Sequence, residues 1–163
     1  MVDSLKVSEL VEASNTSSTD LVDISQDQGG GSYISKKVQI SNFKSNTDKS
    51  TFGFTTDAGV ETISTGIKGY CVFPYSCTIK KWYLIADKIG SIVIDVWKAN
   101  NSIPTVANTI TGTEKPTLSS SQLNSDTNLT SWTTAISIGD VVAFNVDSAS
   151  SVSRITLTIE VEK

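Results

Sequence analysis

Residues 154–162, RITLTIEVE, alternate strictly between apolar and polar side chains, and this alternation constrains the fold more than any other feature of the chain. Successive side chains of a β-strand point to opposite faces, so the segment predicts a strand with one buried and one solvent-exposed face. Related patterns predict strands at 80–87, 91–97 and 141–147, weaker strands at 61–69 and 70–75, and an irregular strand at 130–138. Turn residues separate them at 87–90, 139–140 and 147–151.

About seven strands with one long connection predict a mainly β, antiparallel β-sandwich of the jelly-roll or Greek-key kind. The long connection runs between residues 103 and 129, and within it residues 119–123 are expected to form one short helical turn. We assign residues 61–163 to this sandwich domain.

Residues 1–45 differ in composition from the rest of the chain, because their apolar side chains are sparse and come in short groups separated by Ser, Thr, Asp and Gly. Such groups cannot build a core alone, and we expect an extended segment that anchors the chain in grooves of another protein. The predicted anchor residues are Leu5, Val7, Leu10, Leu21, Val22, Ile24, Val38, Ile40 and Phe43. Residues 46–60 predict a linker. The alternative for residues 1–45 is a frayed terminus with no partner.

Composition excludes several classes of function. The chain of 163 residues carries a net charge of −4 without any dense run of Lys or Arg, which argues against nucleic-acid binding. It lacks the roughly 18 consecutive apolar residues of a membrane span, and acidic residues stand where a signal peptide would be basic, so we expect synthesis in a cytoplasm. Because there is no histidine, the commonest general base and metal ligand are missing, and we expect no enzyme, no cofactor and no metal.

The remaining candidates for chemistry are aspartates and cysteines. Four aspartates, Asp87, Asp95, Asp140 and Asp147, stand at predicted strand ends or turns, where Asp is favoured for local hydrogen bonding, and they do not follow the spacing of a calcium loop. Cys71 and Cys77 are expected to be free thiols, and a disulfide between them is the alternative.

The stretch 91–105, SIVIDVWKANNSIPT, is the best candidate for a contact site. Alternation places an apolar set on one face of the strand and Asp95 with Trp97 on the other, which should be at most partly buried. Trp97 then leads into Asn100, Asn101 and Ser102, so that an apolar ring would lie beside polar groups suited to a glycan or a neighbouring protein. The alternative is that Trp97, like Trp82 and Trp132, packs in the core.

Several motifs together resemble a known family. They fall at residues 66–69, 78–82, 90–98, 116–119, 132, 139–140 and 155–161. In this combination residues 66–161 resemble a domain of phage virion proteins, notably tail fibres and head-associated fibres. Residues 6–13, 20–24 and 36–42 are similar to a leader of virion components, although Val11 stands where that leader usually has proline.

The resemblance implies a bacteriophage structural protein, a head-fibre, tail-fibre or capsid-decoration component assembled in the host cytoplasm. Residues 1–45 would attach to capsid or tail proteins of the same virion, and the sandwich would face outward for adhesion to a host or its surface glycans. We expect a homo-oligomer, a trimer as fibres suggest, with Tyr83, Val93 and Trp97 as contact residues. The alternative is a stand-alone carbohydrate-binding module without a role in assembly.

Overall fold

The structure, a computed structural model, describes residues 21–27, 30, 33–39 and 48–163. The chain divides into two compact units, Met1–Asp48 and Lys49–Lys163. Within the described ranges, no helix has the length and apolar character needed to cross a membrane.

The first unit contains an antiparallel pair of strands, β1 (Leu21–Asp27) and β2 (Tyr33–Gln39). Of the predicted anchor residues, Leu21, Val22 and Ile24 lie in β1 and Val38 lies in β2. The other predicted anchor residues, Leu5, Val7, Leu10, Ile40 and Phe43, lie outside the described residues. The anchor role therefore stays a prediction.

The second unit is one antiparallel sheet of seven strands with the order β3-β9-β5-β8-β4, in which β6 and β7 also pair with β5. The strands are β3 (Lys49–Asp57), β4 (Gly66–Val72), β5 (Cys77–Asn100), β6 (Thr117–Asp126), β7 (Ala135–Ile136), β8 (Asp140–Ser150) and β9 (Arg154–Glu162). A 3₁₀ turn covers Val106–Asn108. The prediction of a mainly β, antiparallel fold is confirmed, and all seven strands belong to one hydrogen-bonded sheet.

Strand β5 is the spine of this sheet. Its first part pairs with β9, from Thr78 opposite Glu162 to Ala86 opposite Ile155. Its second part pairs with β8, from Ser91 opposite Ser150 to Asn100 opposite Asp140, while β6 lies along its other edge. The predicted turn at 87–90 is wrong, because the 24-residue strand continues through it.

At residues 87–90 the strand bends instead of ending. The pairing register with β6 shifts on both sides of Gly90, as at a β-bulge, which bends a strand and increases its twist. Only glycine fits there, because a Cβ at Gly90 would lie 2.6 Å from both the carbonyl oxygen of Ser150 and a side-chain carbon of Val152. The bend lets the sheet curl over itself.

The curled sheet encloses one apolar core. Side chains from its first half, among them Leu84 and Leu157, share this core with Ile94 and Phe144 from its second half. The ring of Phe54 in β3 stacks on that of Phe144 in β8, with ring centroids 4.6 Å apart. The inner faces of the two halves therefore pack directly on each other.

The linker predicted at 46–60 is wrong, because β3 occupies most of it. Phe52 and Phe54 alternate with Thr and Gly and point toward the core, where Phe52 meets Phe73 edge-on at 4.7 Å between centroids. The abundance of Ser, Thr and Asp around them hides this short alternation. The globular unit thus begins at residue 49 and not at residue 61.

The helical turn predicted at 119–123 is also wrong, because these residues belong to β6. Leu118 lies opposite Ile92 and Leu123 opposite Ile85, so the edge of β5 supplies the hydrogen-bonding partner that local sequence could not reveal.

Cys71 and Cys77 are free thiols, and burial raises the pKa of both.

Candidate functional site

Asp95 and Trp97 lie on a face of β5 that is buried, contrary to the prediction of at most partial burial. Only 1% of Asp95 and 8% of Trp97 are exposed. The connection that follows β5 folds back over them, with Thr109 bridging to Trp97 and the amide of Ile110 donating to the carbonyl of Val96 at 2.9 Å. Trp97 therefore offers no open ring to a sugar, and its predicted role as a contact platform is wrong.

Asp95 holds this connection in place. Its carboxylate accepts hydrogen bonds from the hydroxyls of Thr109 at 2.6 Å and Thr111 at 2.7 Å. The ammonium of Lys115 lies 3.0 Å from Asp95 and 2.7 Å from Asp147, so it joins the two carboxylates. Burial raises the pKa of Asp95, but the hydrogen bonds from Thr109, Thr111 and Lys115 together outweigh it and hold the pKa below its usual value.

The indole N–H of Trp97 is buried near the same carboxylate, and it contributes to the lowered pKa of Asp95. Among the described residues it meets no acceptor with hydrogen-bond geometry. We do not count it as a hydrogen bond, because the distance and angle criteria are not met.

Asn100, Asn101 and Ser102 are exposed, but most of their polar groups serve the fold. The amide nitrogen of Asn100 donates to the carboxylate of Asp140 at 3.0 Å, and its amide oxygen accepts from Asn101 at 2.8 Å. The Ser102 hydroxyl donates to the Asn100 carbonyl at 3.2 Å, and the Asn101 backbone amide donates to the Gly139 carbonyl at 3.0 Å. These bonds fasten the end of β5 to the turn before β8.

Asp140 is the buried centre of this junction. It accepts from the backbone amide of Ser137 at 2.8 Å and pairs with Lys98 at 2.9 Å. Burial raises the pKa of Asp140, but the hydrogen bonds from Ser137, Asn100 and Lys98 outweigh it and lower the pKa overall. Asp140 thus stays ionised near neutral pH and acts as a structural acceptor.

Three exposed aliphatic side chains lie in the two segments that the asparagines join. Ile103 and Val106 in the connection after β5 are 66% and 68% exposed, and Ile138 in the turn before β8 is 65% exposed. We call Asn100, Asn101, Ser102, Ile103, Val106 and Ile138 together the loop end. Sequence reasoning missed the three aliphatics, although Ile103 and Ile138 each stand alone among turn residues, which was the available signal.

The loop end differs in chemistry from a typical sugar-binding site. Sugar recognition depends on aromatic faces and on polar groups free to bond, whereas here the aromatic ring is buried and most polar groups are bonded internally. Exposed aliphatic side chains on a rigid rim gain free energy by burial against another protein. The loop end therefore presents exposed aliphatic side chains beside polar groups that are mostly bonded within the fold.

The other candidate acids are also structural. Asp87 accepts hydrogen bonds from the hydroxyl of Ser153 at 2.6 Å and the backbone amide of Arg154 at 3.0 Å, which hold the pKa of its carboxyl well below the usual range. Asp147 accepts from Asn145 at 2.7 Å in addition to Lys115. In the part of the chain that the structure describes, no three Cys, Asp or Glu side chains converge to hold a metal ion.

Comparison of the chain with models of known families, with curated proteins and with solved structures finds no match. The resemblance to virion fibre proteins is therefore an expectation from the sequence ranges given above, and these comparisons do not support it.

Proposed function

We propose that this protein is a structural component of a bacteriophage particle, a head-fibre, tail-fibre or capsid-decoration protein. The division into two units at residue 48 carries the proposal, because one unit can attach while the other is displayed. In this proposal Met1–Asp48 binds capsid or tail proteins of the same virion, and Lys49–Lys163 faces outward as a β-sandwich-type module.

The internal construction of the second unit supports a display role. Its two half-sheets share one core, as the layers of a sandwich do. Its buried acids are used to fasten loops, since Asp95 holds the connection after β5 and Asp140 holds the turn before β8. A rigid module of this kind presents its ends to partners, and the loop end is the surface we assign to a neighbouring or host-surface protein.

The first experiment tests attachment. Full-length protein and the fragment 49–163 are each produced in cells infected with phage that lacks the gene, and purified particles are probed for them. We expect the full chain to co-purify with particles and the fragment to be lost, because the fragment has no attachment unit. A folded fragment that incorporates equally well would overturn attachment through Met1–Asp48, and absence of both proteins from particles would overturn the virion role.

An antibody against residues 61–163 then locates the protein on intact particles. Label on the head supports a head fibre or decoration protein, and label at the tail tip supports a tail fibre. An Ile138→Asp variant tests the loop end, because Ile138 is exposed and lies outside the core. Particles carrying this variant should keep the same antibody label but bind the neighbouring or host-surface protein less tightly than wild-type particles.

A further inference from the structure

The edge formed by β4 is an open end of the sheet. β4 is last in the strand order and pairs with β8, and among the strands of residues 49–163 it has no partner on its other side. An unpaired edge presents backbone N–H and C=O groups that can pair with another strand, and proteins commonly guard such edges with charged residues, proline or bulges.

The side chains of β4 leave this edge weakly guarded. Ile67, Tyr70 and Val72 are 40%, 51% and 63% exposed. Its one charged residue, Lys68, is turned to the hydroxyl of Ser64 at 2.8 Å, and the register shift between Ile67 and Gly69 affects only the first part of the strand. The last residues of β4 therefore combine open backbone groups with exposed apolar side chains.

The opposite end of the strand order differs. The exposed residues of β3 include Thr51, Gly53 and Thr55, and the strand carries a charge at each end, Lys49 and Asp57. Exposed residues of β6 are mostly Ser, Asn and Gln. Of these three edges, only β4 exposes a predominantly apolar set.

We propose that β4 pairs antiparallel with β4 of a second copy of this chain, so that the sheet continues across a twofold dimer. The inference goes beyond the proposed virion role and names a contact for the homo-oligomer expected from the sequence. In an antiparallel pair centred near Tyr70, Val72 of each copy lies toward Ile67 and Lys68 of the other, which is self-complementary. The predicted contacts Tyr83, Val93 and Trp97 are not needed for it.

The self-complementary apolar set of β4 favours a second copy as the occupant, and charge does not oppose it. Residues 49–163 contain nine basic and ten acidic side chains, so two such units meet without strong net repulsion. Within β4 the only charge is Lys68, and antiparallel pairing keeps the two Lys68 side chains apart on either side of the axis. The contact is isologous and gives a dimer, whereas the trimer that fibres suggest would require a heterologous contact.

The test is sedimentation equilibrium of the full-length protein, whose monomer mass is 17.4 kDa, and of its Tyr70→Lys variant. The variant places two like charges near the axis, and the dimer dissociation constant should rise on the order of a hundredfold. Thr51→Lys on β3 is the matched control and should dimerise like the wild type. Thermal unfolding in dilute solution verifies that each variant folds.

Amide exchange gives a second readout that does not depend on a mutation. Amides of residues 69–72 should exchange more slowly in wild type as protein concentration rises, and this effect should vanish in Tyr70→Lys. A monomeric or trimeric wild type, or a dimer that Tyr70→Lys leaves intact, would overturn the proposal. A monomer whose 69–72 amides are protected only by an added foreign strand would point to a different partner. Because purified protein is used, the outcome is independent of attachment to particles.

Discussion

At the scale of single residues, the contact between Asp95 and Lys115 is the most consequential charge pair in the second unit. Asp95 is buried, while Lys115 and Asp147 are each partly exposed. Removing one partner of a buried pair leaves the other groups without their acceptor. The connection over Trp97 therefore depends on one carboxylate.

We predict that Asp95→Ala lowers the free energy of unfolding by about 3 kcal/mol, because Lys115 and the hydroxyls of Thr109 and Thr111 lose their common acceptor. Urea unfolding followed by tryptophan fluorescence measures it. Asp147→Ala is the comparison and should cost about 1 kcal/mol, since Asp147 is partly exposed and its partners Lys115 and Asn145 can reach water once it is removed. Equal losses in the two variants would contradict the assigned role of Asp95.

The same carboxylate predicts a pH dependence. The pKa of Asp95 is lowered in the folded protein, so its contribution is complete above the unfolded-state pKa of about 3.9 and is lost as pH falls toward the folded value. Stability measured between about pH 5 and pH 2 should therefore fall less steeply in Asp95→Asn than in wild type. An identical slope would show that other acids account for the acid sensitivity.

Sequence could predict only part of this arrangement. Alternation correctly places Asp95 and Trp97 on one face of β5. It could not predict their burial, because the cover comes from Thr109, Thr111 and Lys115, which reach that face only through the long-range path of the chain.

At the scale of elements, the bend in β5 determines how the sheet closes. Period-two alternation located most of β5, β8 and β9, since each buries one face. It could not distinguish a turn at 87–90 from a bulge within a continuous strand, because Asp87 and Gly90 suit both. The pairing of Gly90 with Ser121 and its close approach to Ser150 identify a bulge within a continuous strand.

We predict that Gly90→Ala destabilises the fold by about 1–3 kcal/mol, because the new methyl group must displace the backbone at Ser150 or the side chain of Val152. Gly69→Ala is the matched control, since no atom lies within 4 Å of a Cβ built there. The control should stay within about 0.5 kcal/mol of wild type. Chemical denaturation of both variants in dilute solution measures the difference, and a tolerated Gly90→Ala would refute the close approach.

At the scale of the whole molecule, the boundary of the second unit is testable by truncation. A fragment 49–163 keeps β3 and should unfold cooperatively, whereas 61–163 lacks Phe52 and Phe54, which pack partly buried against the core, and exposes the edge of β9. Because it loses these two rings together with a whole edge strand, the shorter fragment should lack a cooperative thermal transition. Thermal melting followed by circular dichroism compares the two fragments. A 61–163 fragment as stable as 49–163 would show that residues 49–60 act as a linker after all.

The position of β5 in the strand order also sets the timing of folding during synthesis. β5 leaves the ribosome well before β8 and β9, which form the ladders along one of its edges. Its apolar side chains therefore stay exposed until β8 and β9, which lie far away in the sequence, have been synthesised, and such non-local pairing is slow. The nascent chain accordingly passes through a period in which a long, apolar strand is open to chaperones or to other nascent copies.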